Sequence, residues 1–113
     1  MIQSDSEVCN IIITRLASPD WETFGGIELK EWLDLISVDP SLEATDEITG
    51  RNPATGEFLK IKLENTARYL DEFEPLFRYK NGEILADWIE LNAQIKAKEI
   101  VEKLNANLIT YLD

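Results

Sequence analysis

From Asp34 to Gly50 the chain reads DLISVDPSLEATDEITG, with five carboxylates (Asp34, Asp39, Glu43, Asp46 and Glu47) and neither Lys nor Arg. Carboxylates in such a run could do three kinds of chemistry. A pair could act as general acid and base on a glycosidic bond. Several could hold a hard cation such as calcium. Or they could attract a basic partner across an interface. The first possibility is uninformative here, because 22 acidic residues in 113 produce many pairs and no cleft is specified. The second fails on pattern. DEITGRNPATGE has a Gly and a closing Glu, but acids are missing at the internal ligand positions. The third competes with a plain structural account, in which a charged helix end leads into a solvated strand that resists edge pairing. One detail favours recognition: Asp34 and Asp39 fall near a helix C-terminus, where the macrodipole disfavours negative charge.

The other reactive residue types exclude more than they support. Histidine is absent, which removes the commonest general base and the commonest metal ligand at neutral pH. Cys9 is the only cysteine, so there is no internal disulfide and no thiolate cluster for zinc or iron–sulfur. It lies in an apolar strand, where a thiol is ordinarily inert core. Ser and Thr have no histidine to activate them and no Ser-x-x-Lys motif. GRNPATGE superficially resembles a phosphate loop but lacks the Gly-Lys-Ser/Thr ending, and it reads as a β-turn. The expectation is a protein that is not an enzyme, with no metal and no cofactor.

The net charge is −11. Residues 1–57 hold 12 acids and 3 bases, net −9, whereas residues 58–113 hold 10 acids and 8 bases, net −2. Such charge repels phosphate backbones, so nucleic acid is not an expected partner, and it favours basic proteins. The N-terminus, MIQSDSEVCNIII, has acids where a signal peptide needs bases. No apolar run approaches the roughly 20 residues needed to span a bilayer. A cytoplasmic protein without a membrane partner is expected.

These residues need elements to position them. EVCNIIIT (7–14) reads as a buried strand and LASPDWETFGG (16–26) as a loop. In IELKEWLDLISVDP (27–40), Leu29, Trp32, Leu33 and Ile36 share one helix face, and Pro40 should end the helix near Val38. SLEATDEIT and EFLKIKLE read as two strands joined by GRNPATGE. Leu59, Ile61 and Leu63 alternate with Phe58, Lys60 and Lys62, which predicts one covered side. NTARYLDEFEP (65–75) fits a helical turn or a loop. Asn81-Gly82 predicts a type I′ hairpin. A helix follows over about 91–104 with Ala93, Ala97, Ile100, Val101 and Leu104 on one arc. Asn105 or Asn107 closes it, and NLITYL has strand composition. The order β-α-β-β-β-β-α-β implies an α+β domain over residues 1–113, with two helices on one face of a mostly antiparallel sheet.

IIITR, IELKEWLDLISVDPSLE, FRYKNGEILAD and KLNANL, in this order, resemble a group of small uncharacterised bacterial proteins with EEW…V…DPEL early and Y.DGNI late. The resemblance covers most of the chain and implies fold rather than chemistry. Members of that group often carry a Trp-Gly-His-like segment where this chain has NTARYLDEFEP. Small acidic bacterial proteins of this kind include immunity proteins. The functional expectation is a non-enzymatic immunity protein that neutralises a basic toxin domain through Asp34, Asp39, Glu43, Asp46 and Glu47. Of the aromatic residues, which are mostly core, Tyr69 and Phe73 are the expected exposed anchors. The alternatives are a self-associating structural or regulatory subunit and a small-molecule-binding module. Leu91 and Ile95 fall opposite the apolar arc of the last helix. Either they pack under the preceding loop, which is favoured, or they form a self-association patch. Sequence leaves the oligomeric state open.

Overall fold

The computed structural model describes residues 9–17, 23–71 and 74–111. Its elements are β1 (Cys9–Thr14), α1 (Leu29–Val38), β2 (Leu42–Arg51), β3 (Phe58–Tyr69), β4 (Leu76–Lys80), β5 (Glu83–Ile89), α2 (Leu91–Leu104) and β6 (Asn107–Tyr111). The expected α+β order is present as one domain. The strands form a single sheet in the order β2-β3-β4-β5-β1-β6, every neighbouring pair antiparallel.

This order makes β1 parallel to β2, and β5 parallel to β6, so each helix is a crossover between parallel strands. Such connections are right-handed. The two travel in opposite directions along the sheet but start from oppositely directed strands. The same handedness therefore puts both helices on one face. There Trp32, Leu35 and Ile36 of α1 and Ala93, Ala97, Ile100 and Leu104 of α2 bury the alternate strand residues Ile11, Ile13, Leu42, Ala67, Phe77, Ile84 and Ala86.

The punctuation signals act as expected. Asp39, before Pro40, is extended, and α1 stops at Val38. Asn81 and Gly82 both have positive φ (48° and 80°), as a two-residue type I′ turn requires. Asn105 is left-handed, and the Ala106 N–H donates back to the Val101 carbonyl at 3.0 Å to close α2.

Three expectations need correction. Residues 65–69 are neither helical turn nor loop; they continue β3, because Thr66–Arg68 are paired on both sides, by β2 and by β4. Leu59 and Ile61 are not covered but 47% and 46% exposed, and Phe58 is 75% exposed. The reason is that β4 reaches β3 only at Thr66–Arg68. Beyond that point the β2–β3 hairpin continues as a two-stranded arm. The register shift between Thr45 and Glu47, with Asn65 at φ 52°, marks the arm's base. Trp32 pins that base by donating from Nε1 to the Asn65 carbonyl at 2.9 Å. Finally, Leu91 and Ile95 are 51% and 55% exposed, so they are not buried under a loop among the described residues.

Candidate functional site

The five carboxylates of the acidic run do not form one surface. Successive residues of a strand point to opposite faces. Glu43 and Glu47 therefore lie on the sheet face away from the helices, and Asp46 lies on the helix side with Ala44 and Ile48. Glu43 is held by Arg68, whose other terminal nitrogen is 3.6 Å from Glu74. Asp34 is exposed on α1 and accepts from Lys30 Nζ at 2.7 Å, one helical turn away.

Asp39 turns inward, and the expectation that it faces a partner is corrected here. Its side chain is only 5% exposed and pairs with Lys96 of α2, itself 4% exposed. Oδ1 accepts from the Ser41 N–H at 2.9 Å and the Ser41 hydroxyl at 2.7 Å. Lys103 stands 3.8 Å from Oδ2, and Glu99 bridges Lys96 and Lys103 at 3.3 and 3.4 Å. Burial alone would raise the Asp39 carboxyl. Hydrogen bonds from Lys96 and Ser41, with the lysine charge, outweigh burial and hold it at about 2. The unfavourable negative charge at the end of α1 thus has an internal use: it ties α1 to α2.

Of the expected anchors, Tyr69 is half-buried against the core, with Lys96 Nζ 5.9 Å from its ring centroid. It is a packing residue and not a free anchor. Phe73 lies outside the described residues, as does Trp21. Cys9 is half-buried, and burial pushes its thiol up, which fits an unreactive side chain. Among the described residues, no three His, Cys, Asp or Glu stand together as a metal site, and no helix is long and apolar enough to cross a membrane.

Two features were not among the candidates. Arg15, after β1, forks onto Glu31 of α1 at 2.9 and 2.7 Å and donates to the carbonyls of Gly26 and, at the end of α2, Leu104. Arg15 and the Glu28 N–H hold the Glu31 carboxyl at about 2. Lys96 carried a legible signal, since residues 93, 96, 97 and 100 form an i, i+3, i+4, i+7 set and Lys96 is the only charge in it.

Two clefts mark the described surface: one of about 350 Å³ lined by Glu47, Ile48, Thr49, Arg68, Glu74 and Leu76, and one of about 300 Å³ between α1 and the base of the arm, lined by Leu33, Ile36, Ala44, Thr45, Asp46, Asn65 and Thr66. Leu33 is 43% exposed. The uncovered apolar side of the arm, with Ile48, Leu59 and Ile61, continues on the same side of the sheet as this cleft. No protein-family model matches the chain, and no curated protein or solved structure matches it significantly.

Proposed function

We propose that this protein is a non-enzymatic, acidic binding protein of the cytoplasm that neutralises a basic protein partner by contact, as an immunity protein blocks a toxin domain. The cleft beside α1 carries the reading. It is lined by apolar Leu33, Ile36 and Ala44 together with Asp46 and the polar Thr45, Asn65 and Thr66, and the exposed Asp34 follows Leu33 on α1. An apolar centre beside acidic groups suits a partner whose apolar anchor is ringed by Lys or Arg. The net charge of −11 would speed encounter with such a partner.

Titration calorimetry against a basic toxin nuclease domain tests this. The paired change Asp34→Lys and Asp46→Lys is expected to weaken binding at least about tenfold and to flatten its salt dependence. The uncharged change Leu33→Asn is expected to weaken binding without changing the salt slope. An affinity unmoved by all three substitutions refutes the surface.

A further inference from the structure

The arm presents an unpaired edge as well as an uncovered face. Among the described residues β2 is the outermost strand, and no strand pairs with its outer edge. A two-stranded ribbon is marginal in water, and adding strands with a shared apolar face is what stabilises it. We propose that two copies of this chain join through their arms. β2 of one pairs antiparallel with β2 of the other, about a two-fold axis at Thr49. This goes beyond the binding reading above and does not rest on it.

The residues choose both the occupant and the register. Over Glu47–Arg51 the alternation is regular, with Glu47, Thr49 and Arg51 on one side and Ile48 and Gly50 on the other. A two-fold axis perpendicular to the ribbon keeps the two apolar sides together and sets same-side residues opposite each other. Centred on Thr49, it places Glu47 opposite Arg51 of the second copy, twice, and Thr49 opposite Thr49. Opposite charges and Thr pairs are favourable cross-strand neighbours. The other side then sets Ile48 opposite Gly50, which has no side chain to obstruct it. Centring on Glu47 would oppose like charges, and centring on Ile48 or Gly50 would leave both charges unmatched. Neither Glu47 nor Arg51 makes an ion pair among the described residues, although Arg51 lies 5.9 Å from the Phe58 ring centroid.

The geometry leaves room. Past Thr49 the tip of one arm runs beside the earlier part of β2 in the other copy, where no strand is paired among the described residues. The result is a four-stranded ribbon, β3-β2-β2-β3, carrying Ile48, Leu59 and Ile61 from both copies on one side. The free edge of β3 is less suited, because self-pairing there centred on Ile61 would set Lys60 against Lys62.

Sedimentation equilibrium at about 100 μM is the test, on the full chain. The wild type is expected to be a dimer. Arg51→Glu and Glu47→Lys are each expected to weaken it at least about tenfold, because both cross-strand pairs become repulsive. Mixing the two variants in equal amounts should restore a dimer, as a heterodimer in which both pairs are again opposite in charge. Air oxidation of Thr49→Cys in a Cys9→Ser background should give a disulfide-linked dimer, and Thr45→Cys should not. A monomeric wild type overturns the proposal. So does a dimer indifferent to both charge reversals, which would lie elsewhere, for example at Leu91 and Ile95. A mixture that stays monomeric, or cross-linking at Thr45 equal to that at Thr49, also overturns it.

Discussion

Replacing Lys96 by Met tests whether the buried ion pair holds α2 to the end of α1. The two side chains are 4% and 5% exposed. Removing the cation leaves a buried carboxylate without its partner, a change that typically costs about 3–5 kcal/mol. Lys103, 3.8 Å from the same oxygen, can move closer, so the lower end, about 3 kcal/mol, is expected. With a urea slope of about 1.5 kcal/mol/M, the unfolding midpoint falls by about 2 M. The acid limb gives a second reading. In the folded protein the Asp39 carboxyl sits at about 2, below its ordinary value of 3.8. A depressed carboxyl contributes stability that is complete above its unfolded value, near pH 4, and is lost as the pH falls through its folded value, near pH 2. The difference corresponds to about 2 kcal/mol. Without Lys96, burial, already the largest single influence, loses its main opponent and the carboxyl rises. The deficit of the variant should therefore shrink as acid protonates Asp39. Adding Asp39→Asn, which keeps an oxygen for Ser41, should recover at least half of the loss. Urea titrations across this pH range measure all three quantities. A Lys96→Met midpoint within about 0.5 M of wild type, or the same acid profile in both proteins, refutes the reasoning.

Two further outcomes test how the loop and the arm are held. Gly82→Ala should destabilise by more than about 2 kcal/mol in the same titration, because its φ is +80° and a Cβ would lie 2.7 Å from both the Gly25 nitrogen and the Phe24 ring. Trp32→Phe keeps an aromatic ring in the core but removes the hydrogen bond to Asn65. It should cost about 1–2 kcal/mol and speed amide hydrogen exchange at the base of the arm more than in β1.

Local signals carried much of the fold into the sequence. Pro40 ends α1, Asn81-Gly82 makes the turn and Asn105 closes α2, each through a backbone preference that neighbours cannot easily override. The failures have a common cause. The alternation of Leu59, Ile61 and Leu63 specifies a strand with an apolar side, but whether anything covers that side depends on where β4 ends, and β4 is set by distant pairing. Asp39 looked like part of an acidic surface because its partner lies 57 residues further on. Only the tertiary fold brings Lys96 to it. The face of each strand carboxylate was half legible: alternation separates Asp46 from Glu43 and Glu47, but not which side the helices take.

That last choice follows from topology and explains why the molecule has surfaces to use. The right-handed rule for such crossovers puts α1 and α2 on one face, as their single shared core bears out, and two helices of 10 and 14 residues cannot cover a six-stranded sheet. β2 and β3 are 10 and 12 residues long, against 5 for β4 and 7 for β5. Among the described residues, the excess length has neither a helix above it nor a third strand beside it. A chain selected only for stability would shorten such a hairpin, because an isolated ribbon contributes little and exposes apolar side chains. This chain instead anchors the arm's base with Trp32, shifts its register beside Asn65 and gives its outer strand a Glu47-x-Thr49-x-Arg51 pattern that complements itself. The Asp39–Lys96 and Arg15–Glu31 ties, by contrast, lie in the helix layer, around the hydrophobic core.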